Sequence, residues 1–195
     1  MPRQIAVLCA ERDGIYSHFQ DVDIWDESRD ARGYDLTLPV VAHPPCARWS
    51  RLAGLAEHVH GIPKHDDGGL FEAVLGHVRR CGGILEHPAQ SAAWSRYGLP
   101  APSGDGWAGS LLRPDEWVCA VAQRHYGHPS TKRTWLLAVG CELPRLRYGD
   151  GQEPVQGVIH MSGSRKRSAT PREFAEILIR AARSVGLDYL VNGRE

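Results

Sequence analysis

Apolar and polar positions alternate along the chain in a pattern of short buried strands and two clear amphipathic helices. Ile5 to Ala10 is an unbroken apolar run, the signature of a strand covered on both faces. Val22-Asp23-Ile24-Trp25 is a weaker strand, and Leu38 to Ala42 is a third that ends at His43-Pro44-Pro45-Cys46. Two consecutive prolines cannot extend a ladder, so the chain must turn there. Asp66 and Asp67 are placed to cap a helix that runs to about Arg80, with Leu70, Phe71, Val74, Leu75 and Val78 on one face. Gly82-Gly83 ends it, and Ile84-Leu85 forms a short strand leading into Glu86-His87-Pro88. Val118 to Gln123 and Thr134 to Val139 read as two more strands. The last helix has the strongest start signals: Thr170 as N-cap, Pro171 at the first helical position and Glu173 completing a capping box. Phe174, Ile177, Leu178 and Ala181 line its apolar face, and Gly186 stops it.

Strands alternating with helices predict a single α/β domain over residues 1–195, with a doubly wound, mostly parallel sheet. Residues 98–114 and 141–166 read as loop excursions. In such sheets ligands bind beyond the carboxyl ends of the strands. Cys46 and Glu86 each follow a strand, which directs attention to that edge.

Composition narrows the picture. The chain has 195 residues, 42% of them hydrophobic, enough for a real core. Its 23 basic and 23 acidic side chains cancel, so any attraction for nucleic acid must come from a local patch. No stretch has the roughly 20 apolar residues that span a bilayer. The N-terminal apolar run is too short for a signal peptide. Cys9, Cys46, Cys81, Cys119 and Cys141 are odd in number and scattered, the usage of reduced thiols in a cytoplasmic protein. The histidines, including His58, His60 and His65, form no recognised metal-ligand pattern, and no metal is expected.

Four features have chemical potential. A thiolate at Cys46, in a tight turn with Arg48 and Arg51 close in sequence to favour the charged form, would be a nucleophile; the same residue equally reads as a small buried cysteine. Glu86, at a strand end, has the setting of a carboxyl raised by burial to act as an acid, or of a plain surface carboxylate. Lys132 and Arg133, after the turn-rich Tyr126-Gly127-His128-Pro129, suit phosphate contacts or a solvated loop. Arg165, Lys166 and Arg167 form the densest basic run and lead into the last helix, whose free N–H groups also favour phosphate.

Taken in order, these residues resemble the cytosine-C5 DNA methyltransferase family. Pro44-Pro45-Cys46 matches its nucleophile turn, and Glu86-His87-Pro88 resembles its Glu-Asn-Val/Pro strand end with His in place of Asn. Tyr126-Gly127-His128-Pro129 with Arg133 is similar to its Tyr-Gly-x-Pro-Gln-x-Arg-x-Arg segment. Arg167 to Ala175 matches most of its Arg-x-Leu-Thr-x-Arg-Glu-x-Ala helix start. Short phage-type proteins show the same order of motifs. The resemblance implies a truncated, Rossmann-like methyltransferase-type fold. It implies Cys46, Glu86 and Arg133 as catalytic residues, and S-adenosylmethionine as the default donor. It also implies DNA or a pyrimidine nucleotide as substrate, bound by Arg48, Lys132, Arg165, Lys166 and Arg167.

The family's Phe-x-Gly-x-Gly cofactor loop has no counterpart, since that region reads Cys9-Ala10-Glu11-Arg12-Asp13-Gly14. Gly14 is then the candidate for close backbone approach, and Asp23 or Asp26 for a ribose hydroxyl. Few residues precede Cys46, so one strand–helix unit is expected to be missing. The short stretch from Gly140 to Arg167 leaves no room for a target-recognition domain, which points to a separate specificity subunit. The expectation is a minimal pyrimidine-C5-modifying enzyme. The alternatives are a non-catalytic nucleic-acid-binding module that has lost the cofactor, or a Cys-dependent enzyme that uses another one-carbon donor.

Overall fold

Runs of consecutive apolar residues build the centre of the molecule, because strands buried on both faces need apolar side chains at every position. A computed structural model describes residues 4–35, 37–50, 53–61, 63–151, 167–186 and 189. The elements are β1 (Ile5–Leu8), β2 (Val22–Trp25), β3 (Val40–Ala42), α1 (Ala53–His60), α2 (Leu70–Cys81), β4 (Gly83–Pro88), α3 (Ala92–Arg96), β5 (Ala108–Gly109), β6 (Glu116–Ala122), β7 (Arg133–Val139) and α4 (Arg172–Arg183). The strands form one seven-stranded sheet in the order β2-β1-β3-β4-β7-β6-β5.

The sheet is mixed. β2, β1, β3 and β4 are mutually parallel, whereas β4 with β7, β7 with β6 and β6 with β5 are antiparallel pairs. The expected mostly parallel, doubly wound sheet therefore holds for one half alone. The connection from β6 to β7, residues 123–132, is too short for the helical crossover that a parallel neighbour demands. Two reversals restore direction, so β6 runs the same way as β4. The carboxyl ends of β1, β2, β3, β4 and β6 and the amino end of β7 share one edge.

Alternation along the strands sorts the core into two layers. Leu8, Ala42, Leu85 and Leu137 pack against Phe71, Val74, Leu75 and Val78 of α2. Val7, Val41, Ile84, Leu136 and Ala138 pack against Phe174, Ala175, Leu178 and Ile179 of α4. Each fully buried large side chain among these contributes about 1.5–3 kcal/mol. The N-cap of α2 is Gly69, not an Asp, and makes no side-chain cap bond, but Asp67 Oδ2 still accepts from the first-turn Phe71 N–H at 2.9 Å.

The cap of α4 differs from its sequence signature. The helix starts at Arg172 with Pro171 as N-cap and no side-chain cap bond. Glu173 pairs with Arg147 instead of turning back on the chain. Of the two expected loop excursions, 98–114 contains the short edge strand β5; in the second, residues 141–151 have no helix or strand and 152–166 lie outside the described residues. Among the described residues no helix is long and apolar enough to cross a membrane.

Candidate active site

The turn after β3 is built to present Cys46. The His43 N–H still reaches Leu8 O of β1 at 3.0 Å, and the two prolines then end the ladder. The Cys46 carbonyl accepts from the N–H groups of Trp49 and Ser50 at 3.0 and 2.9 Å, closing a turn around the residue. Trp49 anchors that turn from below: it is 1% exposed, its Nε1 donates to Asp67 at 2.8 Å, and it stacks on His65. Cys46 itself stays partly accessible.

Glu86 projects from β4 toward the α4 layer, on the side of Ile84, as the period-2 rule requires. It is 7% exposed, yet both carboxylate oxygens are satisfied. Oε2 faces His43 Nδ1 at 2.9 Å. Oε1 accepts from Gln123 Nε2 at 2.8 Å and Thr134 Oγ1 at 3.2 Å. Beyond His43, its Nε2 meets the Tyr16 hydroxyl at 2.6 Å. Burial would push the Glu86 carboxyl upward, but the His43 hydrogen bond and the nearby Lys132 charge outweigh it and hold the group at about 2. The raised acid expected from the strand-end position is thereby corrected: Glu86 rests as a carboxylate.

Lys132 supplies the cation. Its backbone is strained, with φ at +41° for a non-glycine residue, the kind of conformation that persists where the surroundings enforce it. Nζ donates to the carbonyls of Ser168 and Ala169 at 2.8 and 2.9 Å. Burial lowers its pKa, opposed by the charges of Glu86 and Cys46. The Cys46 thiol is raised by burial and by Glu86, with its own backbone N–H and Lys132 pulling the other way. Cys46, Glu86 and Lys132 thus share one electrostatic site.

Other sequence candidates stand elsewhere. Arg133 shares a face with Leu137, opposite Glu86, and its exposed side chain pairs with Asp150. One residue of strand register separates it from Thr134, which does reach Glu86. Arg48 is half-buried and donates to Pro63 O at 3.2 Å, and Lys132 is the cation acting on the thiol instead. Arg167 is exposed, while Arg165 and Lys166 lie outside the described residues.

The assigned cofactor residues are already committed. Asp23 is 1% exposed and binds Arg29 at 2.7 Å and Trp25 Nε1 at 3.0 Å. Asp26 sits just past β2 but holds Arg12 at 2.9 Å and Ser28 at 2.7 Å. Gly14 lies in a tight turn, where a Cβ would meet Glu11 O at 3.0 Å, and not on an open approach.

Tyr16, His43, Gln123 and Thr134 escaped the sequence reading. His43 directly precedes the singled-out turn, and Gln123 continues the buried alternation of Cys119 and Val121; both signals were present. Nothing local marks Tyr16.

His87, on the opposite face of β4, is fully buried against the Phe71 ring, and neither ring nitrogen has a hydrogen-bond partner among the described residues. Burial lowers it to about 4, against a weaker pull from the Glu86 charge. This makes stability acid-sensitive in two stages. Below about pH 6.5 the unfolded chain protonates His87 while the folded chain does not, down to about 4. Below about pH 4.5 the unfolded chain also protonates Glu86, and the folded chain resists until about 2. Each stage is worth on the order of 3 kcal/mol. Urea-unfolding midpoints should therefore fall between pH 7 and pH 4, and His87→Leu should flatten that limb while His77, shifted in the same direction, leaves a residual slope. An unchanged limb in His87→Leu would refute the assignment.

No protein-family model matches this chain, and no curated protein sequence matches it.

Proposed function

We propose that this protein modifies pyrimidines at C5, in DNA or as nucleotides, through a covalent adduct between Cys46 and C6 of the base. The observation that supports this reading is the convergence of a partly accessible thiol, a buried carboxylate and a half-buried lysine at the carboxyl edge of the parallel strands. The step balances with these groups. Cys46 gives its proton to the Glu86 carboxylate as its sulfur electron pair forms the bond to C6. The displaced π pair moves through the ring to N3, which takes that proton from Glu86. The neutral adduct is an enamine, nucleophilic at C5. After C5 gains an electrophile and loses its hydrogen as a proton, N3 returns its proton through Glu86 to the departing Cys46 sulfur, and the aromatic base is restored. The Lys132 cation favours the thiolate during addition. A base in a duplex would first have to leave the stack.

S-adenosylmethionine fits this site poorly where the resemblance places it. Asp23 is sealed in a buried ion pair, Asp26 is engaged by Arg12 and Ser28, and Gly14 offers no open cradle. The same commitments, together with the raised Cys46 thiol, favour as second reading a nucleic-acid-binding module without turnover.

A donor-free assay separates the two. Reversible addition at C6 lets C5 take a solvent proton and release its own, so water is the sole co-reactant. The protein should release tritium from 5-tritiated cytosine in a single strand, a duplex or the free mononucleotide. An oligonucleotide containing 2-pyrimidinone, whose C6 is more electrophilic, should add to the protein by mass. Neither release nor adduct in any of these arms would overturn the enzyme reading in favour of the binding module.

A further inference from the structure

Resting on that reading, we propose that His43, backed by Tyr16, is the positioning residue of the site, fixing the orientation and charge state of Glu86 and thereby its proton transfer to the base. Three neighbouring strands contribute in spatial order. Tyr16 comes from the turn after β1, His43 from the end of β3 and Glu86 from β4, so the hydrogen bonds cross the sheet edge in a line. The proton assignment follows from the partners. An ionised carboxylate only accepts, so His43 Nδ1 carries the hydrogen toward Oε2. In the neutral ring Nε2 is then an acceptor, and the Tyr16 O–H donates to it. Tyr16 is 3% exposed, and burial and the Glu86 charge keep its hydroxyl protonated.

From the other side Gln123 and Thr134 hold Oε1, so the carboxylate is gripped at both oxygens and its plane is set. The charged and titratable groups facing it are His43 and Tyr16 from the β3 and β1 ends, Lys132 from the β7 end and Cys46 from its turn, while His87, next along its own strand, acts on it through charge from the opposite face. Among these, His43 alone donates to Oε2. A purely structural partner has no need of a ring that joins two hydrogen bonds; a buried ion network of this kind is costly and is often replaced by apolar packing without loss of stability.

The test uses the full chain in two arms. Carbon-13 NMR of glutamate carboxyls from pH 8 to 4, with Glu86 assigned by Glu86→Gln, reads the charge state without substrate. The wild type should show no Glu86 titration in this range, His43→Leu should bring a titration step into it, and His43→Asn, which keeps a donor near Nδ1, should remove that step again. In the second arm, the rate of 2-pyrimidinone adduct formation should fall about 100-fold in His43→Leu, with the acid limb of its pH profile moved upward. His43→Asn should recover to within about tenfold of the wild type, and Tyr16→Phe should show a smaller fall. Circular dichroism identifies any unfolded variant, in which case His43→Asn and Tyr16→Phe decide. An unmoved Glu86 signal in the folded variants, or a moved signal with an unchanged adduct profile, overturns the proposal. A wild type that forms no adduct overturns the enzyme reading instead and leaves the carboxyl titration to decide the role of His43.

Discussion

Cys46→Ser is expected to fold normally and to lose adduct formation and tritium release by at least about a thousandfold. The prediction follows from the placement of the five thiols. Burial pushes Cys9 to about 12, Cys119 to about 11 and Cys141 to about 12, and among the described residues no lysine charge acts on any of them. Cys81 is 1% exposed within the α2 layer. Cys46 is also raised by burial and by the Glu86 charge, yet it lies at the sheet edge with the Lys132 charge to favour its thiolate, and in the proposed mechanism Glu86 takes its proton. Serine preserves the turn, because the carbonyl that accepts from Trp49 and Ser50 belongs to the backbone. Its hydroxyl is far less acidic than a thiol, so the same carboxylate cannot draw off the proton. Alkylation with iodoacetamide, mapped by mass spectrometry, provides an independent check: Cys46 should react before Cys81 and Cys141. Equal labelling of the three, or an adduct that survives Cys46→Ser, would remove Cys46 from the mechanism.

The largest stability effect is expected at Gly83. Its φ of +125° lies where an L side chain is strained, and a Cβ built there would stand 1.9 Å from the Val40 carbonyl oxygen. Val40 is its partner in the β3–β4 ladder, so the clash is with backbone at the centre of the sheet and no rotamer change relieves it. Gly83→Ala should cost at least about 3 kcal/mol, a large share of a typical domain's stability. Gly69 provides the control. It also has positive φ, +76°, but a Cβ there meets nothing within 4 Å, so Gly69→Ala should cost only about 1–2 kcal/mol. Urea-denaturation midpoints compare the two directly, and equal losses would show that the close approach of Gly83 to Val40 is not the cause. Because β4 presents Glu86, partial unfolding in Gly83→Ala should also abolish the adduct, which separates this stability defect from the chemical one at Cys46.

Much of the architecture is local and was legible in the chain. The unbroken run at Ile5, the periodic residues of α2 and α4 and the Pro-Pro stop before Cys46 act over a few residues, and each formed within a few positions of its signal. The turn that carries Cys46 past the end of β3 was legible for the same reason, whereas Glu86, read as following a strand, lies within β4, which continues in the ladder to Pro88. Direction, register and partners are not local. The short β6–β7 link forced antiparallel pairing on half the sheet, and a single step of strand alternation turned Arg133 outward and Thr134 toward Glu86. Thr170, marked by its sequence as a helix cap, cedes that position to Pro171. The charge of Glu86 depends on His43, Gln123, Thr134 and Lys132, drawn from β3, β6 and β7 and their connections. The sequence alone thus determined where the strands, helices and the Pro-Pro turn lie; only the tertiary structure decided which of their side chains face one another and in what protonation state, because long-range pairing sets both the neighbours and the burial that shift a pKa.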